Sequence, residues 1–242
     1  MNWLIDLGNT RLKLAPLLPD GRSGDVRAFA HAQAAAVALE GIEAGSIVFL
    51  ASVAEAKIAQ EVEQALDARS VRVRRVRTQA QCGRLRIAYP APEHLGVDRF
   101  LALLAASERP DGPHLIVSVG SALTVDLLAT DGRHVGGLIA ATPSHMRRAL
   151  AERFAALDVA AGDIVDFASD TADAVASGTR AMALGLIERC LRQAQARLGV
   201  PATLLVSGGG ATDLGDLSAL HPVMAPDLVI QGLALHATRR AN

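Results

Sequence analysis

The sequence predicts an α/β protein built from two similar halves. Residues 3–15 and residues 115–129 each consist of an apolar strand, a glycine turn with small polar residues, and a second apolar strand. Further strand and helix patterns follow each copy, and the segment ERPDGPH at residues 108–114 has the proline and glycine content of a linker. We therefore expect two α/β domains, residues 1–110 and residues 111–242. The alternative is that two unrelated glycine hairpins look alike.

The remaining elements follow from the spacing of the apolar residues. Strands are expected at residues 46–53, 70–77 and 136–141 and in the apolar run before Ser207, and helices at residues 31–44, 54–69, 98–108, 144–157 and 171–198. Residues 227–238 are expected to form a short strand and a helix.

The composition excludes several classes of protein. Half of the residues are hydrophobic but only 3% are aromatic, so the core must consist of Ala, Val, Leu and Ile. The net charge is −1 and no basic patch carries aromatic residues, which argues against binding nucleic acid. The two cysteines, Cys82 and Cys190, lie too far apart in sequence to indicate a zinc site or a disulfide framework. A basic leader and an apolar run of about 18 residues are both missing, so we expect a cytoplasmic protein that does not bind membranes.

The first hairpin has the properties of a phosphate site. Its glycine turn offers backbone N–H donors without a crowding side chain, and hydroxyl and amide groups flank it. Asp6 is suited to hold a hydrated Mg²⁺ ion, and Lys13 to reach the phosphates of ATP as a point charge. The alternative is a plain hairpin with Asp6 at its rim.

Two further turns are weaker candidates. The second hairpin begins at Ser118 and has Ser121 in its turn. The run Ser207–Gly210 follows an apolar strand and would let a phosphate or a flat ligand approach the backbone, although it also fits a flexible turn between a strand and a helix. Neither the GxxxxGK[ST] nor the GxGxxG phosphate motif is present.

Asp98 has two possible roles. In the segment Gly96-Val97-Asp98-Arg99 it precedes an apolar helix, so it is either the N-cap of that helix or a general base that accepts a proton from an attacking hydroxyl. Arg99 would steady a carboxylate or a phosphate. Tyr89, the only tyrosine, would by itself be a packing residue.

Six motifs occur together in a known order. They are DLGNTRLK from Asp6, GVDR from Gly96, VGSALTVD from Val119, the pair Gly136-Gly137, DTADAVASG from Asp170 and SGGGA from Ser207. This set resembles the type III pantothenate kinase family, also described as the Bvg accessory factor family, over nearly the whole chain. The resemblance implies two ribonuclease-H-like domains of the acetate and sugar kinase, heat-shock 70 and actin superfamily, with ATP in the cleft between them.

The resemblance also implies an activity and its residues. The family transfers the γ-phosphoryl group of ATP to pantothenate, giving 4′-phosphopantothenate in the first step of coenzyme A biosynthesis, and Asp98 would be the proton acceptor. The residues implied for ATP are Asp6, Leu7, Gly8, Asn9, Thr10, Arg11, Leu12, Lys13, Ser121, Gly208 and Gly209. Those implied for pantothenate are Tyr89, Gly96, Val97, Asp98, Arg99 and Thr171, with Thr171 supplied by the partner subunit of a homodimer.

Two departures from the family pattern affect the expected cofactors. Mg²⁺ is expected with ATP, and the family also implies a monovalent cation, K⁺ or NH₄⁺. The second hairpin begins with Ser118 where the family usually has aspartate, and a neutral hydroxyl is a weaker ligand, so this cation dependence is in doubt. Ala141-Thr142 stands where the family usually has Pro-Gly, which affects a loop near the pantothenate site. The alternatives are a kinase of another small hydroxy or carboxylate substrate and a catalytically weakened ATP-binding regulator.

Overall fold

The computed structural model describes residues 1–30, 41–110, 112–154 and 162–239. Within these ranges the strands are β1 (Asn2–Leu7), β2 (Arg11–Leu17), β3 (Arg27–Ala30), β4 (Ile47–Ser52), β5 (Arg72–Arg75), β6 (Gln81–Cys82), β7 (Leu85–Arg86), β8 (His114–Val119), β9 (Leu123–Leu128), β10 (His134–Ala140), β11 (Thr203–Ser207) and β12 (Val223–Met224). The α-helices are α1 (Ala56–Asp67), α2 (Val97–Ser107), α3 (Pro143–Arg153), α4 (Thr171–Leu198) and α5 (Leu228–Arg239). Most of the helix expected at residues 31–44, and the end of the one expected at 144–157, lie outside the described residues.

The chain divides into two compact units. The first comprises residues 1–110, 130–136 and 227–242, and the second comprises residues 111–129 and 137–226. The boundary between the units at residues 110 and 111 therefore coincides with the expected linker. The C-terminal segment from residue 227 belongs to the first unit. The division of the chain into domains at residue 110 stays a prediction.

A mixed five-stranded sheet forms the centre of the first unit, in the order β3-β2-β1-β4-β5. Strand β1 pairs antiparallel with β2 and parallel with β4. The apolar side chains of these strands, among them Ile5, Leu7 and Leu12, form a buried core with α1. Since β1 and β2 are joined by a short turn, their register is fixed, and Asp6 lies opposite Lys13.

The second unit repeats this sheet. Its order is β10-β9-β8-β11-β12, with β8 antiparallel to β9 and parallel to β11. The central strand, the hairpin partner and the parallel neighbour thus occur in the same sequence as in the first unit. The predicted fold class, an α/β protein with two similar halves, is confirmed.

Most long elements were predicted correctly, and α4 has the predicted bounds of residues 171–198. The strand expected at the start of residues 227–238 is wrong, because α5 begins at Leu228. Its apolar residues suit a strand as well as a helix, and packing against α2 decides between them. No helix within the described ranges is both long and apolar enough to cross a membrane.

Candidate active site

The first hairpin presents polar groups above a buried base. The Gly8 amide donates a hydrogen bond to the carbonyl of Arg11 over 3.0 Å, which closes the turn. Asn9 and Arg11 are exposed, as is Thr10, while the side chains of Leu7 and Leu12 are fully buried. Leu7 and Leu12 therefore have only backbone groups to offer to a ligand at this turn.

Asp6 is the electrostatically unusual residue of the hairpin. Burial raises the pKa of its carboxyl from 3.8 to about 7, the negative charge of Asp98 raises this pKa as well, and Lys13 opposes both effects. Asp98 is therefore close enough to Asp6 to repel it. Two carboxylates and an ammonium group thus influence one another here, which suits a site for a metal-bound phosphate.

Asp98 lies inside helix α2 and not at its cap. The N-cap is Gly96, and the Asp98 carboxylate accepts a hydrogen bond of 2.8 Å from the amide of Arg99 in the first turn. A side chain at position 96 would place its Cβ 2.6 Å from the Asp98 Oδ1 atom. The N-cap interpretation is therefore wrong, and Gly96 leaves space for the carboxylate.

Arg99, Tyr89 and His134 form a stack next to the start of α2. The Arg99 side chain is buried, and its guanidinium lies 5.8 Å from the centre of the Tyr89 ring and donates to the Tyr89 hydroxyl over 3.2 Å. The ring of His134 stacks on the ring of Tyr89, with 6.2 Å between the ring centres and an interplanar angle of 8°. The His134 Nδ1 atom accepts a hydrogen bond from the amide of Ala88. Tyr89 thus orients Arg99, a role that its position in the sequence did not indicate.

Two residues of the first unit were missed by sequence reasoning. His134 supports Tyr89, and Asp227 forms an ion pair of 3.2 Å with Lys13. Both are distant in sequence from the residues that they contact, and neither belongs to a motif. Only the three-dimensional fold brings them to the site.

The turns of the second unit meet at the carboxyl ends of two parallel strands. Ser118 of β8 is in register with Ser207 of β11, so the turn that contains Ser121 and the glycine run after Ser207 lie next to each other. Gly208 has a φ angle of +91°, and a side chain there would overlap the carbonyl of Val119. Only glycine can occupy this position, which brings the backbone of the second turn onto the end of β8.

Thr142, from the departure at Ala141-Thr142, and the candidate Thr171 lie at the starts of two helices of the second unit. Thr142, in place of the family's glycine, is the N-cap of α3 and accepts a hydrogen bond from the amide of His145 over 3.2 Å. Thr171 is the exposed first residue of α4, after the N-cap Asp170. It lines an open groove of about 720 Å³, together with Leu150, Ala168, Ser169, Asp170, Ala174, Val175, Gly178, Thr179 and Met182.

The side chains alone do not form a complete metal site. Among the described residues, no group of three or more His, Cys, Asp or Glu side chains is positioned to hold a metal ion. A metal bound at Asp6 would need further oxygen ligands from water or from a phosphate. Mg²⁺ commonly binds to proteins in this way.

Two solved structures share the architecture of this chain. A protein described as a Baf family transcriptional activator from Campylobacter jejuni has a TM-score of 0.66, 16% identity and 99% coverage of both chains. The activator of the 2-hydroxyisocaproyl-CoA dehydratase from Clostridium difficile, solved with bound ADPNP, has a TM-score of 0.52, 14% identity, and coverage of 99% of this chain and 95% of that one. At these identities the likeness concerns the fold alone.

Sequence comparison gives the family. The family profile of type III pantothenate kinase matches residues 2–193. The type III pantothenate kinase of Xanthomonas euvesicatoria pv. vesicatoria strain 85-10 is 49% identical over 242 residues, covering 99% of this chain and 98% of the relative. That of Stenotrophomonas maltophilia strain K279a is 47% identical over 246 residues, with the same coverage. The chain belongs to the type III pantothenate kinase family and is an ATP-dependent phosphotransferase.

Proposed function

We propose that the protein transfers the γ-phosphoryl group of ATP to the hydroxyl group of pantothenate, giving ADP and 4′-phosphopantothenate, the first step of coenzyme A biosynthesis. One observation carries the proposal: the Asp98 carboxylate lies close enough to the Asp6–Lys13 hairpin to raise the pKa of Asp6. A phosphate-binding turn and a carboxylate that can accept a proton from a hydroxyl are the two parts that this transfer requires.

ATP binds through backbone groups and point charges. The amides of Asn9 and Thr10, with the side chains of Asp6, Arg11 and Lys13, hold the phosphates. Gly8 closes the turn without a crowding side chain, and Leu7 and Leu12 contribute backbone only. The residues of the second unit that we propose for ATP are Ser121, Gly208 and Gly209. The absence of a side chain at Gly208 lets the glycine run lie against the end of β8, beside the turn that contains Ser121.

Asp98 acts as the general base. It accepts the proton of the pantothenate hydroxyl as the oxygen attacks the γ-phosphorus, a role that contributes roughly a hundredfold to ten-thousandfold in rate. Arg99 binds the pantothenate carboxylate, because its buried guanidinium is held at a fixed angle by Tyr89. Gly96 and Val97 line the same pocket at the start of α2.

The residues at Asp6 fit a magnesium ion. An ionised Asp6 is unfavourable in its buried surroundings and beside Asp98, and a divalent cation would relieve both effects. When bound with ATP, Mg²⁺ neutralises charge on the phosphates. Ser118 can offer a neutral oxygen to K⁺ or NH₄⁺, so we expect weaker dependence on these ions than a carboxylate at that position would give.

A homodimer would complete the site. The groove beside Thr171 is bordered by exposed apolar side chains, including Met182 within it and Phe167 next to its lining residues. Phe167 is 98% exposed, which is unfavourable for a large aromatic ring unless a partner covers it. We propose that a second copy covers this face and that Thr171 contacts the pantothenate bound to the other subunit.

The test is a coupled assay of ADP release with Mg²⁺-ATP, with and without pantothenate, in buffers of Na⁺, K⁺ and NH₄⁺. We expect release that depends on pantothenate in at least one of these buffers, and phosphopantothenate as the product by mass spectrometry. No turnover in any buffer would overturn the kinase proposal. Turnover with other hydroxy acids or sugars but not with pantothenate would instead favour a different substrate.

A further inference from the structure

An ion pair links the phosphate hairpin to the C-terminal helix of the same unit. The Lys13 Nζ atom lies 3.2 Å from the Asp227 Oδ1 atom, although the two residues are 214 positions apart in sequence. Their side chains are 22% and 36% exposed, respectively, so the pair is only partly screened by water. Asp227 lies beyond residues 2–193, the range matched by the family profile.

The position of Asp227 is fixed by the packing of α5 against α2. Gly232 of α5 lies so close to α2 that a methyl group there would overlap the carbonyl of Leu101. One turn further along, the buried ring of His236 contacts the edge of Phe100. Because Asp98 is in the first turn of α2, this packing fixes the anchor of Lys13 and the candidate base relative to one another.

A lysine requires such an anchor if it is to bind a phosphate in one position. Its ammonium group is at the end of four rotatable bonds, and much of its conformational freedom is lost when it binds. It carries three N–H donors, so one can remain on Asp227 while another points to a phosphate oxygen. We propose that Asp227 is a positioning residue for the phosphotransfer site, holding the ammonium group of Lys13 in place for the phosphates of ATP; this rests on the proposed function.

The negative charge of Asp227 also has an opposite effect, because it weakens the positive field that attracts ATP. The two effects predict opposite results when this charge is removed. If anchoring dominates, ATP binds more weakly; if competition dominates, ATP binds more tightly. We expect anchoring to dominate, since an ammonium group carries three N–H donors and can bind a carboxylate and a phosphate oxygen at once.

The test compares Asp227→Asn with a matched control at the other end of the same helix. Glu108 forms an ion pair of 2.7 Å with Arg239 of α5, and its exposure of 36% equals that of Asp227. Asp227→Asn should raise the KM for ATP about fivefold, the size expected for a partly exposed ion pair, and leave the KM for pantothenate unchanged. Asp227→Glu should recover part of the loss, and Glu108→Gln should change neither KM. An unchanged or lower KM for ATP in Asp227→Asn would overturn the proposal, as would the same rise in Glu108→Gln.

A double mutant separates positioning from a general effect on the fold. In the Lys13→Met background, Asp227→Asn should have no further effect on ATP binding, since nothing remains to be positioned. If the two losses multiply instead, the proposal is wrong. The dissociation constant of Mg²⁺-ATP, measured by calorimetry, provides the same comparison without turnover. If the wild-type protein binds ATP but releases no ADP with pantothenate, the proposed function is wrong. The comparison of ATP dissociation constants among the variants still tests the role of Asp227.

Discussion

Four charged side chains of the first unit interact in series: two carboxylates, one ammonium group and a third carboxylate. Asp98 repels Asp6, Asp6 is attracted to Lys13, and Lys13 is bound to Asp227. Each residue changes the charge state or the position of the next. A substitution in this series should therefore have effects that charge and distance can predict.

Asp98→Asn should lower kcat roughly a hundredfold to ten-thousandfold, because the amide cannot accept the proton of the attacking hydroxyl. Binding of Mg²⁺-ATP should not weaken, since the substitution removes a charge that opposes the ionisation of Asp6. Steady-state kinetics and calorimetry measure the two quantities separately. A variant with the full rate and normal ATP binding would exclude Asp98 as the base.

Asp6 should make the stability of the metal-free protein depend on pH. The pKa of its carboxyl is about 7 in the folded protein, against 3.8 as its ordinary value, so between about pH 4 and pH 7 the folded state holds a proton that the unfolded state has lost. Stability should therefore fall as pH rises through this window, by an amount on the order of a few kcal/mol. Asp6→Asn keeps the site neutral and should be more stable relative to the wild type at pH 8 than at pH 5. Thermal unfolding of both proteins without Mg²⁺ measures this, and an equal difference at both pH values would contradict it.

The sequence predicted those site contacts that are local. The short turn of the first hairpin places Asp6 opposite Lys13, and the GVDR segment places Asp98 at the start of a helix. Asp227 and His134 could not be predicted, because their partners are 214 and 45 or more residues away and the contact depends on how α5 and β10 are arranged. The roles of all these residues stay predictions.

Secondary-structure elements were predictable where their own sequence determines them. Both hairpins and α4 have strong periodic patterns, and they form as expected. The short strands β3, β6, β7 and β12 were missed, since two to four residues carry too little pattern and depend on a partner strand. At α5 the local pattern was ambiguous, and the expected strand was wrong because the segment packs along α2 as a helix.

The contact between α5 and α2 should respond strongly to one methyl group. Gly232→Ala places its Cβ against the carbonyl of Leu101, so α5 must move, at a cost of about 1–3 kcal/mol in unfolding free energy. Gly185→Ala is the matched control, because Gly185 is also inside a helix but has no atom within 4 Å of the added Cβ; it should stabilise by about 0.5–1 kcal/mol. Denaturant unfolding measures both. A gain in stability for Gly232→Ala would show that the close contact does not constrain the helix.

The same sheet topology occurs in both units, but the two hairpins carry different chemical groups. In both units the central strand pairs with its hairpin partner on one side and with two successive parallel strands on the other. The repeat of the hairpin was visible in the sequence. When Gly8 is aligned with Gly120, Ser118 stands at the place of Asp6 and Val125 at the place of Lys13, so the second hairpin has neither of these two charged groups. We therefore expect the first unit to bind the metal-bound phosphates and the second to contribute shape and neutral contacts.

The proposed dimer can be tested by mixing two inactive variants. Asp98→Asn lacks the base, and Thr171→Glu should repel the pantothenate carboxylate, while the negative charge that it adds is favourable at the start of α4. If Thr171 serves the site of the partner, a purified heterodimer of the two variants contains one site with both native residues, and it should recover up to about half of the wild-type rate. Homodimers of either variant should stay inactive under the same conditions. A heterodimer without activity, formed in good yield, would mean that Thr171 acts within its own subunit or not at all.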